Sequence, residues 1–124
     1  PRAALPASIP HADAFANSAR LARLLGALRA GRFEHVRGAL EDTLHQPYRL
    51  PLAPGAAQAL AALSVAPGSV GAYLSGSGPT RMALCLENPE SVGEIGVRAF
   101  GEQGSSARAR LLEVDRTGAA LLTS

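Results

Sequence analysis

With 124 residues and a formal charge of +2, the chain has the length of one domain and too little net charge for an ordinary nucleic-acid binder. Its basic residues are all arginine and lie scattered from Arg2 to Arg116, while two tyrosines and three phenylalanines give no stacking series, which argues against a phosphate-backbone partner. Hydrophobic residues at 47% against 18% charged ones exclude a disordered chain.

In chain order, Leu21, Leu24, Leu25 and Leu28 recur at i, i+3, i+4 and i+7, with Phe15 earlier on the same stripe, and predict a helix over residues 11–30 closed by Gly31. A second helix is expected from Arg32, striped by Phe33, Val36, Leu40 and Leu44, with an outward Arg37–Glu41 pair and Pro47 as its end. Residues 45–55 hold three prolines, at 47, 51 and 54, and read as a shaped loop. Residues 56–65 are rich in alanine and leucine and predict a buried helix stopped by Pro67 and Gly68.

Residues 70–74 and 81–86 read as antiparallel strands. A helix over residues 89–100 follows from the spacing of Val92, Ile95, Ala99 and Phe100, with Gly93 and Gly96 each weakening it by about 1 kcal/mol relative to alanine. A strand over residues 107–114, a turn over 115–118 and a short strand over 119–122 complete the chain. The expected class is α+β, an antiparallel sheet with helices packed on one face.

Between the two central strands lies Ser75-Gly76-Ser77-Gly78-Pro79-Thr80. The glycines let a charged group approach main-chain N–H donors, the hydroxyls add donors, and Pro79 stiffens the turn, so an anion such as a phosphate or carboxylate is the expected ligand. Two glycines also satisfy ordinary hairpin geometry, although a simple two-residue hairpin needs neither six residues nor a proline. The chain has no lysine, which excludes a Walker-type phosphate loop.

Other chemistry-bearing residues have plainer readings. Cys85 sits in the apolar run of residues 82–86 and reads as a core thiol. A lone cysteine excludes an internal disulfide. His11 and His35 read as solvated or capping residues and His45 as a loop-fixing one, and their spacing is not that of a metal site. No histidine nominates Ser75, Ser77 or Thr80 as a nucleophile. No stretch approaches the roughly 18 apolar residues of a membrane span, no secretory signal is visible, and a cytoplasmic location is expected. Pro1 opens directly on Arg2-Ala3-Ala4-Leu5-Pro6 without a methionine, which predicts a piece of a longer chain.

Residues 71–84, a glycine followed by Ser-Gly-x-Gly-Pro-Thr and an apolar strand, resemble the C-terminal motif of the GHMP small-molecule kinases. Residues 45–49, His-Gln-Pro-Tyr-Arg, followed by Pro-Leu-Ala-Pro-Gly at 51–55, together with residues 2–6, are similar to the homoserine kinase branch, and the resemblance runs the whole length of the chain. It implies a ferredoxin-like sheet, one GHMP C-terminal domain over residues 1–124, and transfer of the ATP γ-phosphate to the hydroxyl of L-homoserine in threonine biosynthesis.

The resemblance further assigns Arg49 and Arg2 to the homoserine carboxylate, which a planar guanidinium grips through two parallel hydrogen bonds. Ser75, Gly76, Ser77, Gly78, Pro79 and Thr80 would lie beside the transferring phosphoryl group. The upstream glycine-rich loop that carries ATP in these kinases, and their Mg2+ ligands, have no counterpart in this sequence. The chain alone is therefore expected to be inactive without its N-terminal domain, with no catalytic base of its own. If an upstream strand of the sheet is missing, its unpaired edge invites dimerisation. Two alternatives stay open: another GHMP kinase, of the diphosphocytidyl-methylerythritol or mevalonate type, and a non-catalytic ferredoxin-like binding or regulatory module.

Overall fold

The computed structural model describes residues 2–76, 78–119 and 121, leaving aside the side chain of Arg2. Ser77, Ala120 and Leu122 lie outside the described residues, and with them one position of the glycine turn and part of the last expected strand. Helix α1 spans His11–Ala30 and ends at Gly31, as its stripe predicts. After a 3-10 turn at Phe33–His35 come α2, Val36–Ala39, and α3, Gln46–Arg49. A further 3-10 turn at Leu50–Leu52 leads to α4, Ala56–Val65, then β1, Ser69–Leu74, β2, Arg81–Cys85, and α5, Pro89–Gly101.

The α+β class is borne out. β1 and β2 form an antiparallel hairpin in which Tyr73 faces Met82 and Leu74 faces Arg81, with a register shift between Ser69 and Gly71. Strand alternation puts Ala72, Ala83 and Cys85 on one face, where they meet Leu63 of α4 and Val92 and Ile95 of α5. Val92 is 1% exposed and Ala59 fully buried on this side, and Val36 of α2 is fully buried as well. α2 abuts β1 at Gly71. A Cβ there would stand 2.8 Å from Leu40 Cδ1 and 3.0 Å from the Arg37 backbone, so only glycine allows the approach.

Four expectations are corrected. The second helix does not run to Leu44: it breaks after Ala39, and Pro47 lies in the first turn of α3 instead of ending a helix. Proline lacks the N–H that a first helical turn leaves unpaired anyway, so it starts a helix as readily as it stops one. The supposed loop 45–55 is accordingly half helical. Arg37 does not pair with Glu41, because its Nη2 donates to Ser69 O at 3.3 Å while Glu41 lies 3.9 Å from Arg20.

Residues 107–114 do not form a strand. A strand needs a neighbour for its ladder, and this segment does not pair with β2. Ala109 instead lies so close to α5 that a Cβ on Gly93 would meet it at 2.8 Å. The turn that follows is as expected, with the Asp115 carboxylate accepting from Thr117 N at 2.7 Å and Thr117 Oγ1 at 2.6 Å. No helix among the described residues is long and apolar enough to cross a membrane.

Candidate functional site

The glycine turn closes where Ser75 N donates to Thr80 O at 3.0 Å. Gly76 adopts φ 63°, a left-handed conformation that glycine takes without strain. A Cβ on Gly76 or Gly78 would meet nothing within 4 Å, so the backbone there stands open to an approaching group. Gly76, Gly78, Pro79 and Thr80 are exposed and Ser75 is half-buried.

Arg49, the expected carboxylate ligand, sits on α3 and is 9% exposed. What positions that helix is a network invisible to sequence reasoning. Both carboxylate oxygens of Asp42 accept backbone N–H groups: Oδ1 from Leu44 at 2.8 Å, Oδ2 from His45 at 2.9 Å and Gln46 at 2.7 Å. They take up donors that a helix start leaves unpaired. Asn17 of α1 donates to Asp42 Oδ1 at 2.9 Å and accepts from Thr43 N and Thr43 Oγ1, both at 3.1 Å, fastening α1 to the same turn. Burial pushes the Asp42 carboxyl up, but hydrogen bonds from Leu44, Gln46, Asn17 and His45 outweigh it and hold it below its usual range.

Gln46 then joins the two halves of the site. Its Nε2 donates to Leu40 O at 3.3 Å and its Oε1 accepts from Leu74 N at 3.0 Å. Ladder alternation turns the Leu74 N–H away from β2, so Gln46 pairs the outer edge of β1 one residue before the glycine turn begins. The helix bearing Arg49 is thus tied directly to the turn. Gln46 and Asp42 were not nominated from sequence. Gln46 stood inside the His-Gln-Pro-Tyr-Arg motif, whereas nothing local marks Asp42.

Beside this junction, a cleft of about 490 Å³ opens between α1 and the hairpin, with Leu21, Leu24 and Leu28 on one side, Tyr73 and Leu84 on the other, and Asn17, Asp42 and Gln46 at its polar rim. Arg2 lies in a short 3-10 turn, and its side chain is outside what is described. His11, His35 and His45 are exposed and not gathered, and His35 Nε2 lies 3.6 Å from Glu34 Oε1. Cys85 is half-buried against the core, and burial pushes its thiol up, which suits a packing residue more than a nucleophile. Among the described residues no group of three His, Cys, Asp or Glu side chains could hold a metal ion, so magnesium is assigned no ligand here.

The chain matches the family model described as GHMP kinases C terminal over residues 24–105, which takes in the last third of α1, all of α3 and the glycine turn but not Arg2. It is 40% identical over 122 residues to a homoserine kinase of Microchaete diplosiphon, covering 98% of this chain and 39% of that one. A homoserine kinase of Moorella thermoacetica is 39% identical over 121 residues, with 98% and 40% covered. Among solved structures, the homoserine kinase of Cytophaga hutchinsonii superposes with a TM-score of 0.75 at 25% identity, over 82% of this chain and 32% of that one. The chain spans about two fifths of the length of the curated relatives it matches.

Proposed function

The chain belongs to the GHMP kinase C-terminal family, and on that premise we propose that it forms the substrate-side part of a homoserine kinase whose nucleotide-binding part lies in a further, N-terminal domain. The similarity to homoserine kinases of two different genera at about 40% identity supports that branch over the diphosphocytidyl-methylerythritol and mevalonate types. One observation carries the reading at the level of the site: the Gln46 Oε1 contact to Leu74 N, 3.0 Å long, brings the helix of Arg49 and the open glycine turn together.

In this reading Arg49, with Arg2, grips the carboxylate of L-homoserine and so fixes the distance from the amino-acid head to the reacting hydroxyl. That hydroxyl attacks the γ-phosphorus of ATP, the bond to the bridging oxygen breaks, and O-phospho-L-homoserine and ADP result. The backbone N–H groups of residues 75–80 stabilise charge on the transferring group, which positioned dipoles do without a covalent intermediate. The base that takes the hydroxyl proton, the bulk of the ATP site and any Mg2+ ligands belong to the other domain. A cytoplasmic location follows from such an activity, and since among the described residues no third strand pairs with the hairpin, a further strand or a second copy could add at the edge of β2.

The test is homoserine-dependent ADP release by the full-length product of the reading frame, with mevalonate and L-threonine as controls. Release with L-homoserine alone is the expected result, and release only with another alcohol would overturn the substrate. Arg49→Lys keeps the charge but loses the planar pair of bonds, and is expected to raise KM for L-homoserine roughly 10- to 100-fold while leaving KM for ATP within about twofold.

A further inference from the structure

Arg81 is the residue that neither the motif nor the proposed reaction uses. It opens β2 directly after the glycine turn, opposite Leu74. Alternation puts it on the face of Ala83 and Cys85, so its stem runs toward the helix layer and its guanidinium carbon lies 5.9 Å from the centroid of the Phe100 ring on α5. Its Nε is buried and finds no hydrogen-bond partner among the described residues. Arg81 makes no ion pair with a described carboxylate, and burial lowers its affinity for the proton.

Arg81 is half-buried, so water still reaches part of its charge, but its Nε is desolvated without a partner, and stacking on one ring offsets that only in part. Among the described residues its hydrogen bonds go to the turn: Nη1 points at Gly78 O, 3.5 Å away, and at Thr80 O, 3.4 Å away. An anion-binding turn must keep its carbonyl oxygens away from the anion while its N–H groups face it. Two carbonyls of this turn are drawn toward Arg81, and the charge that draws them is anchored on α5.

We propose that Arg81 is a positioning residue that holds Gly78 O and Thr80 O of the glycine turn toward β2, so that the open backbone at Gly76 and Gly78 can receive the transferring phosphoryl group. The proposal rests on the kinase reading above. It differs from the carboxylate-binding role of Arg49 because it predicts a change in turnover and not in amino-acid affinity.

The experiment uses the full-length enzyme with Arg81→Ala and Arg81→Lys, measuring kcat, both KM values and thermal midpoints, with and without added guanidinium ion. Arg81→Ala is expected to lower kcat roughly 10- to 100-fold with KM for L-homoserine within about twofold, because a small misplacement of the turn costs rate more than binding. Low concentrations of guanidinium ion should restore part of that rate. Arg81→Lys, which cannot reach both carbonyls from one planar group, should stay impaired even where the alanine variant is poorly folded.

Unchanged kcat in both variants overturns the proposal. So does a loss of rate that guanidinium ion deepens in step with a lowered thermal midpoint, since that marks a purely structural role. If the unsubstituted enzyme releases no ADP with L-homoserine, the kinase reading itself fails, an outcome separate from either result on Arg81.

Discussion

The two flanks of the hairpin are built from similar material and end up very differently. Against one face, α4 and α5 bury Ala59 completely and leave Leu63 at 7% and Val92 at 1% exposure. On the other flank α1 carries an equally regular leucine stripe, yet Leu21, Leu25 and Leu28 remain 57%, 61% and 43% exposed, and Ala27 is the one buried residue of the helix. Periodicity therefore establishes which side chains share a face, not what covers it. α1 keeps only a small apolar contact, at Ala27, and is fastened by polar means as well, through Asn17 and the Asp42 turn.

Substitutions on the two flanks sharpen that contrast. Leu63→Ala removes a side chain that contacts Gly96 closely and packs on Val92, and is expected to cost about 2–5 kcal/mol in urea unfolding. Leu25→Ala on the exposed stripe should stay within about 0.5 kcal/mol. Equal losses at both positions would mean that α1 is packed as tightly as α4, and the comparison would collapse.

Gly71→Ala probes the seam between the flanks. The added methyl would press on Leu40 Cδ1 and the Arg37 backbone, and while the leucine tip can turn aside, the backbone must shift. An expected loss of about 1–3 kcal/mol, with increased hydrogen exchange at residues 36–40, would mark α2 lifting from β1. A neutral result would mean that α2 sits more loosely than the 3.0 Å approach implies.

Legibility in the sequence follows the same division. The glycine turn, α1, α4, α5 and the hairpin were readable because their signals are local: glycine and proline at a turn, leucine at 3.6-residue spacing. The stretch around Pro47 was misread because proline terminates and initiates helices alike, and the deciding residue, Asp42, precedes it by five positions. Residues 107–114 look like a strand in isolation, but a ladder partner decides whether they are one. At the site, Arg49 and the turn could be nominated, whereas the bond that unites them spans the 28 residues between Gln46 and Leu74 and leaves no local trace.

A small expected effect concerns the polar fastening itself. Asp42 titrates below its ordinary value of 3.8 in the folded chain, because its hydrogen bonds favour the charged form more than burial disfavours it. A depressed folded value means that the carboxylate contributes its full stabilisation above its unfolded value and loses it as pH falls through the folded one. Asp42 is partly open to water, so solvent screening keeps the contribution small beside that of Leu63. Urea midpoints measured from pH 7 down to about pH 3 should fall on the acid side for the unsubstituted chain and fall less for Asp42→Asn, whose amide does not titrate. Parallel curves would show that the 42–46 turn keeps its form without the charge, leaving Gln46 as the bond that fixes α3 against β1.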